Sequence, residues 1–205
     1  QSFGYLYLAD NDGFADVLVG SQYDTPVPVY HGGPAGLSAS PAYRLSETGD
    51  YYGNSVASAG DVNGDGFADV VVGAAGRAYV YFGGPAGLAR SYSQRITGPT
   101  YLFGFPAISA GDVNGDGYAD VAVVEQLTAV HLYFGSSAGL RAASPVVLSA
   151  VAGRGGPGTL AGLDLNADGF GDLAVALEPD GFSEGTVNVY LGSTLGLSVS
   201  PVALR

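Results

Sequence analysis

Short apolar runs separated by glycine-rich turns cover the chain from end to end. Four of them, "ADVLVG", "ADVVVG", "ADVAVV" and "GDLAVA", are rich in β-branched residues. Small-residue stretches such as "SVASAGD" and "AISAGD" precede two of these runs, and an alternating run follows each: "VPVYHG", "AYVYFG", "VHLYFG" and "VNVYLG". Runs of this length bounded by glycine read as strands, and nowhere do apolar residues recur at the 3.6-residue spacing of a helix. A turn ("GGPAGL" twice, "GSSAGL", "GSTLGL") then leads to a last short strand such as "SPAYRL" or "SPVALR". Four antiparallel strands per unit make one propeller blade.

The units repeat. The last aspartates of four acidic loops, Asp16, Asp69, Asp120 and Asp172, are 53, 51 and 52 residues apart, and Tyr30, Tyr81, Tyr133 and Tyr190 fall in register behind them. A period near 50 marks a propeller or solenoid, whose units bury their apolar faces only against neighbours. The pattern predicts an all-β fold: a single propeller domain of four four-stranded antiparallel blades, at about residues 1–46, 47–97, 98–149 and 150–205. An aromatic-glycine pair (Phe3-Gly4, Tyr52-Gly53, Phe103-Gly104), the "GDVNGDGxxD" loop and the "VYxG" strand recur in fixed order. This series resembles the FG-GAP repeats that build the β-propeller of integrin alpha subunits and related bacterial surface proteins. The resemblance covers essentially the whole chain. The fourth unit departs from it with "TLAG" for the aromatic-glycine pair, and the first departs in its loop.

The loop suits a hard cation. Calcium takes six to eight oxygens, which a short loop supplies when alternate residues point inward around a sharp turn. In "DVNGDGFAD" the expected ligands are Asp61, Asn63, Asp65, the carbonyl of Phe67 and a closing Asp69. The third unit offers Asp112, Asn114, Asp116, Tyr118 and Asp120, and the fourth Asp164, Asn166, Asp168, Phe170 and Asp172. The first has Leu8 in place of the leading aspartate, so Asp10, Asp12 and Asp16 form a weaker or empty site. Acidic turns are often merely solvated hairpins. Here, however, 12 of the 19 acidic residues crowd into four loops, where they repel one another unless a cation sits among them. The expectation is three Ca2+ sites and a weaker fourth, structural in role.

Composition narrows the partners. All seven basic residues are arginine and the net charge is -12, which argues against nucleic acid and anionic membranes. No apolar run reaches the ~18 residues needed to span a bilayer, so no membrane insertion is expected. The start at Gln1, without methionine or leader, fits a mature secreted protein or a fragment, and the resemblance implies an extracellular or cell-surface location.

Catalytic signals are weak. "GFSEG" around Ser183 lacks the strand-to-helix elbow and histidine of a serine hydrolase, and "GRGGPG" at 153–158 precedes no helix. His31 and His131 sit at strand positions with no matched acid evident in the sequence. An enzyme is not expected.

Strand alternation puts the acidic loops and the "GGPAGL" turns on one face and the variable connections on the other. Variable loops on a rigid frame are the default place for recognition, and Tyr23, Tyr51, Arg77, Tyr101 and Phe182 lie there. A protein ligand on that face is the leading expectation, with a carbohydrate the alternative, weakened by the absence of tryptophan. The resemblance implies seven blades whereas this chain has four. Closure is open between a homodimer forming an eight-bladed ring, a small four-bladed ring and a fragment of a longer chain.

Overall fold

The computed structural model describes residues 3–7, 12–21, 26–48, 50–149, 156–177, 185–198 and 200–204, for 3–7 the backbone alone. Four sheets follow one another along the chain, each antiparallel with its strands in sequence order. Blade 1 holds β1 (Phe3–Tyr7), β2 (Ala15–Val19), β3 (Val27–Tyr30) and β4 (Tyr43–Leu45); blade 2 holds β5 (Ser55–Gly60), β6 (Asp69–Ala74), β7 (Arg77–Tyr81) and β8 (Gln94–Thr97). Blade 3 holds β9 (Phe103–Gly111), β10 (Asp120–Glu125), β11 (Ala129–Tyr133) and β12 (Val146–Ser149); blade 4 holds β13 (Pro157–Leu163), β14 (Asp172–Leu177), β15 (Thr186–Tyr190) and β16 (Val202–Leu204). The described regular structure is all strand, as the periodicity predicts.

The core lies between blades. Alternate side chains of a strand point to opposite faces, so Val70 and Val72 of β6 pack towards Leu18, Val27 and Val29 of blade 1, while Val71 packs towards Val121 and Val123 of blade 3. Blade 3 meets blade 4 the same way, through Ala122, Val124 and Leu132 against Leu173 and Val175. All residues of β6 and β10 are buried because both blades are covered on two sides. That explains why these strands read as unbroken apolar runs. Each valine so buried contributes roughly 1.5–3 kcal/mol relative to exposure.

Glycine sets how close the blades come. A Cβ on Gly73 would overlap the carbonyl oxygen of Gly104, itself at φ +114, so blades 2 and 3 touch backbone to backbone there. Further out, the outermost strand of one blade latches the turn of the next. Tyr43 Oη accepts the Leu88 amide at 2.9 Å, with the Arg90 guanidinium 3.4 Å above the same ring. Gln94 Oε1 accepts the Leu140 amide at 2.7 Å, and its Nε2 donates to the Ala138 and Leu140 carbonyls. By register Val146 holds this place in blade 3, and its side chain has no group to accept a hydrogen bond.

The first strands line the inside of the arc. β1 lies beside β5, β5 beside β9 and β9 beside β13, whereas β13 makes no extended approach to β1.

Candidate metal loops and recognition face

The second, third and fourth acidic loops each join the first two strands of a blade and are curled around a leading aspartate. Asp61 Oδ1 accepts the amides of Gly64 (2.7 Å) and Asp65 (3.1 Å), and its Oδ2 accepts that of Gly66 (2.7 Å). Asn63 Oδ1 accepts the Asp65 amide and Asp65 Oδ1 the Phe67 amide, both at 2.9 Å. Gly64 and Gly66 make the turn with φ of 74° and 88°, where a Cβ is costly. The third loop repeats these bonds with Asp112, Asn114, Asp116 and Tyr118. The fourth keeps the bonds from the Asp168, Gly169 and Phe170 amides to Asp164, Asn166 and Asp168, with Ala167 at φ 57° in the place of Gly64.

The closing aspartates have a further task. Asp69 is fully buried; its Oδ2 accepts the Val62 amide at 2.9 Å and its Oδ1 the Gly83 amide at 2.8 Å, so one side chain ties the loop to the turn after β7. Asp120 does this with Val113 and Gly135, and Asp172 with Leu165 and Gly192. Burial pushes the Asp69 carboxyl up; the Gly83 and Val62 amides pull it back, Asp65 and Asp61 raise it again, and it stands at about 7. Burial likewise brings Asp120 to about 7.

Successive loops are also joined across blades. The Asp61 carbonyl accepts the Ala119 amide and the Asp112 carbonyl that of Gly171. The Tyr118 ring lies where a Cβ on Gly64 would stand, and the Phe170 ring lies likewise against Gly115.

In the first blade, buried Asp16 accepts the Gly32 amide at 3.1 Å and meets His31 Nδ1 at 3.2 Å, and Asp12 accepts the Phe14 amide. Asp10 lies outside the described residues.

The donor chemistry of loops two to four is hard oxygen throughout, which fits Ca2+. Among the described residues, no three His, Cys, Asp or Glu side chains converge on a point where an ion would sit. The physical reason is that Asp69, Asp120 and Asp172 turn inward to backbone amides. The exposed donors of a loop are therefore its leading three oxygen side chains.

Both histidines have acid partners, contrary to the expectation from sequence. His31 meets Asp16, and His131 Nε2 lies 3.0 Å from Oε2 of the buried Glu125, whose Oε1 accepts the Thr100 hydroxyl at 2.6 Å. The Glu125 carboxyl is raised by burial and lowered more by its bonds from Thr100, His131 and Thr128, ending below the ordinary value. These contacts pin the 98–102 connection onto β10 and β11. Ser183, Tyr23, Phe182 and residues 153–155 of "GRGGPG" lie outside the described residues.

At the opposite strand ends an aromatic cluster is open to solvent. Tyr51 makes edge contacts with Tyr101 (6.4 Å) and Phe105 (6.5 Å), and Tyr51 and Tyr101 are 46% and 55% exposed. Beside it a cavity of about 330 Å³ opens between the first strands, lined by Asn54, Ser55, Phe105, Pro106, Gln126 and Leu127 among others. Tyr51 (φ 60°) and Leu127 (φ 67°) both hold the left-handed conformation that bulky residues avoid. Sequence reasoning found Tyr51 and Tyr101 but missed Phe105, Asn54 and Gln126, which carry no motif.

Comparison with known proteins agrees with this architecture. The FG-GAP-like repeat model matches residues 9–72, 61–123 and 112–175. Integrin alpha-4 of Xenopus laevis is 31% identical over 134 residues, 56% of this chain and 13% of that protein. Integrin alpha-PS5 of Drosophila melanogaster is 35% identical over 157 residues, covering 65% and 15%. Integrin alpha-7 of Mus musculus is 34% identical over 142 residues, covering 60% and 12%. The chain thus spans less than a sixth of the length of these relatives. With the repeat model matched across most of its length, the chain belongs to the FG-GAP-like repeat family.

Proposed function

We propose that this chain is a non-enzymatic, calcium-stabilised adhesion or recognition module that works outside the cell and binds a protein ligand on the face opposite its acidic loops. The observation that carries the reading is the cluster of exposed Tyr51 and Tyr101 with half-buried Phe105 beside an open cavity. Tyrosine anchors are the usual centres of protein interfaces, and the integrin alpha relatives favour a protein partner over a small substrate. Calcium would be held by Asp61, Asn63, Asp65 and the Phe67 carbonyl, and by the matching residues Asp112, Asn114, Asp116 and Tyr118, and Asp164, Asn166, Asp168 and Phe170. Asp69, Asp120 and Asp172 would support these sites through oxygen lone pairs not used by the amides.

Two measurements test this. Calcium should raise the melting temperature and EDTA lower it, with Asp65→Ala and Asp116→Ala each reducing the calcium-induced shift and Asp12→Ala changing it less; an unchanged melting temperature on chelation removes calcium from the account. Affinity capture of extracellular proteins should be lost on Tyr51→Ala with Tyr101→Ala while the fold persists. A second reading, a neutral glycan ligand, is favoured by the uncharged cavity lining and by the Asn54 and Gln126 side-chain amides, which bond to no described residue. Glycan-array binding that disappears on Gln126→Ala would support it in place of a protein.

A further inference from the structure

Asparagine is chemically labile where the next backbone nitrogen can attack its side-chain carbonyl carbon, and a following glycine leaves that nitrogen unshielded. Two acidic loops place Asn before Gly, as Asn63-Gly64 and Asn114-Gly115, whereas the fourth has Asn166-Ala167. Around the first two the loop supplies more than the dipeptide. The Gly64 amide, whose nitrogen must attack, donates to Asp61 Oδ1 at 2.7 Å, within the reach of a base that takes its proton. Asn63 Oδ1, where negative charge develops on attack, accepts the Asp65 amide at 2.9 Å, a fixed donor for that charge. Asn63 Nδ2, the leaving nitrogen, donates to Asp65 Oδ2 at 3.0 Å, which sets how the carboxamide is turned. The third loop repeats all three bonds: the Gly115 amide to Asp112 Oδ1 at 2.7 Å, the Asp116 amide to Asn114 Oδ1 at 2.9 Å and Asn114 Nδ2 to Asp116 Oδ2 at 3.1 Å. Gly64 and Gly115 are exposed, so water reaches both places.

We infer that Asn63 and Asn114 are sites of self-catalysed deamidation in the folded chain, with Asp61 and Asp112 as the bases, and that Asn166 is spared. The Gly64 nitrogen gives its proton to Asp61 and bonds to Asn63 Cγ. The bond from Cγ to Nδ2 then breaks, and Nδ2 leaves as ammonia, the proton returning to it through solvent. Water opens the five-membered imide on either side. The chain then continues through the main-chain carbonyl as aspartate, or through the former side-chain carbonyl as isoaspartate. Each site consumes one water, releases one ammonia and gains one negative charge, and nothing is oxidised. Isoaspartate also adds a methylene to the backbone of a tightly turned loop.

The fourth loop supplies the contrast within the molecule. Asn166 Oδ1 accepts the Asp168 amide at 3.1 Å and its Nδ2 donates to Asp168 Oδ2 at 2.8 Å. The nitrogen that must attack, however, belongs to Ala167, whose Cβ shields it. Asn166 is exposed, whereas Asn63 and Asn114 are half-buried. Solvent access alone would therefore make Asn166 the first to react, and the geometry makes it the last.

Mass analysis of the full chain aged at neutral pH tests this, with EDTA present so that no cation competes for Asp61. Cleavage at arginine separates the sites, Asn63 into residues 45–77, Asn114 into 96–141 and Asn166 into 155–205. The first two peptides should grow heavier with time by the exchange of an amide NH2 for OH, placed by fragmentation on Asn63 and Asn114, and the third should not. Isomerisation at Asp65-Gly66 leaves the mass unchanged and does not register. Both sites should react at least as fast in the folded chain as in urea; slower reaction in the folded chain, or equal reaction at Asn166, overturns the inference. Asp61→Asn should slow Asn63 by about tenfold or more, towards the ~10²–10⁴ of a placed base, with Asn114 of the same chain as the clock. An unchanged ratio of the two rates overturns the role of Asp61. Ala167→Gly should bring Asn166 into step with the others, and a still inert Asn166 overturns the steric contrast. None of these outcomes bears on ligand capture, and none needs a bound cation.

Discussion

Asp69 has one oxygen on the Val62 amide and the other on the Gly83 amide, both inside the fold. Asp69→Asn puts an NH2 group against one of those donors, leaving a buried mismatch that costs ~1–3 kcal/mol. Denaturant unfolding with calcium removed should read that loss, whereas Asp65→Ala under the same condition should cost little. The pH response follows from the same carboxyls. At Asp69 and Asp120 the native pKa of about 7 lies above the ordinary 3.8, so their contribution is complete below that ordinary value and is lost as pH rises through about 7. Glu125 runs the other way: its native pKa lies below the ordinary 4.5, so its contribution is present above that value and is lost as pH falls through the native one. In EDTA the melting temperature should therefore rise from about pH 8 to about pH 6, and calcium should flatten the rise by favouring ionised ligands. A fall over that window would contradict the assigned direction. The leading loop residues were legible because their alternation is local, within nine positions of chain. The inward role of Asp69 was not, because its second partner, Gly83, is brought to it only by the β6 and β7 pairing. The histidine pairs were hidden for the same reason, as Glu125 reaches His131 across a hairpin turn.

At the scale of strands and turns, glycines with different duties carry different costs. Gly66 sits at φ 88° in open space, so Gly66→Ala meets only backbone strain of roughly 1–2 kcal/mol. Gly73 has ordinary backbone angles but no room, so Gly73→Ala must push blade 2 off blade 3 and should cost at least the upper end of the ~1–3 kcal/mol seen for overpacking. Chemical denaturation of the two variants should give that order, and equal losses would mean that the blade contact yields easily. The strands themselves were readable from their apolar runs, since burial on both faces demands unbroken valine and alanine in β6 and β10. Which face meets which neighbour was not, because it depends on how successive blades stack. The latches formed by Tyr43 and Gln94 were hidden too, each joining residues about 45 positions apart with no motif at either end.

Across the whole molecule, stability in a repeat protein is close to a sum of unit and neighbour terms. Blades 2 and 3 have both neighbours within one chain, whereas blades 1 and 4 have one each. Amide hydrogen exchange should be slowest in β6 and β10 at every protein concentration. In β2 and β14 it should be faster, because within this chain each of those blades is covered by one neighbour. Equal protection in all four blades would argue against stability set by nearest neighbours.

The latch missing at Val146 gives the arc a mechanical weak point. Drawn apart by its two ends, a row of blades yields where fewest bonds cross. Outer-edge hydrogen bonds cross from blade 1 to blade 2 and from blade 2 to blade 3, but among the described residues none crosses from blade 3 to blade 4 there. At that seam the apolar packing of Ala122, Val124 and Leu132 on Leu173 and Val175 is backed, among the described residues, by the loop bonds from Gly171 to Asp112 and from Ser193 to Val113. Under tension blade 4 would therefore peel first and from its rim inward, leaving the other three blades as one stiff body.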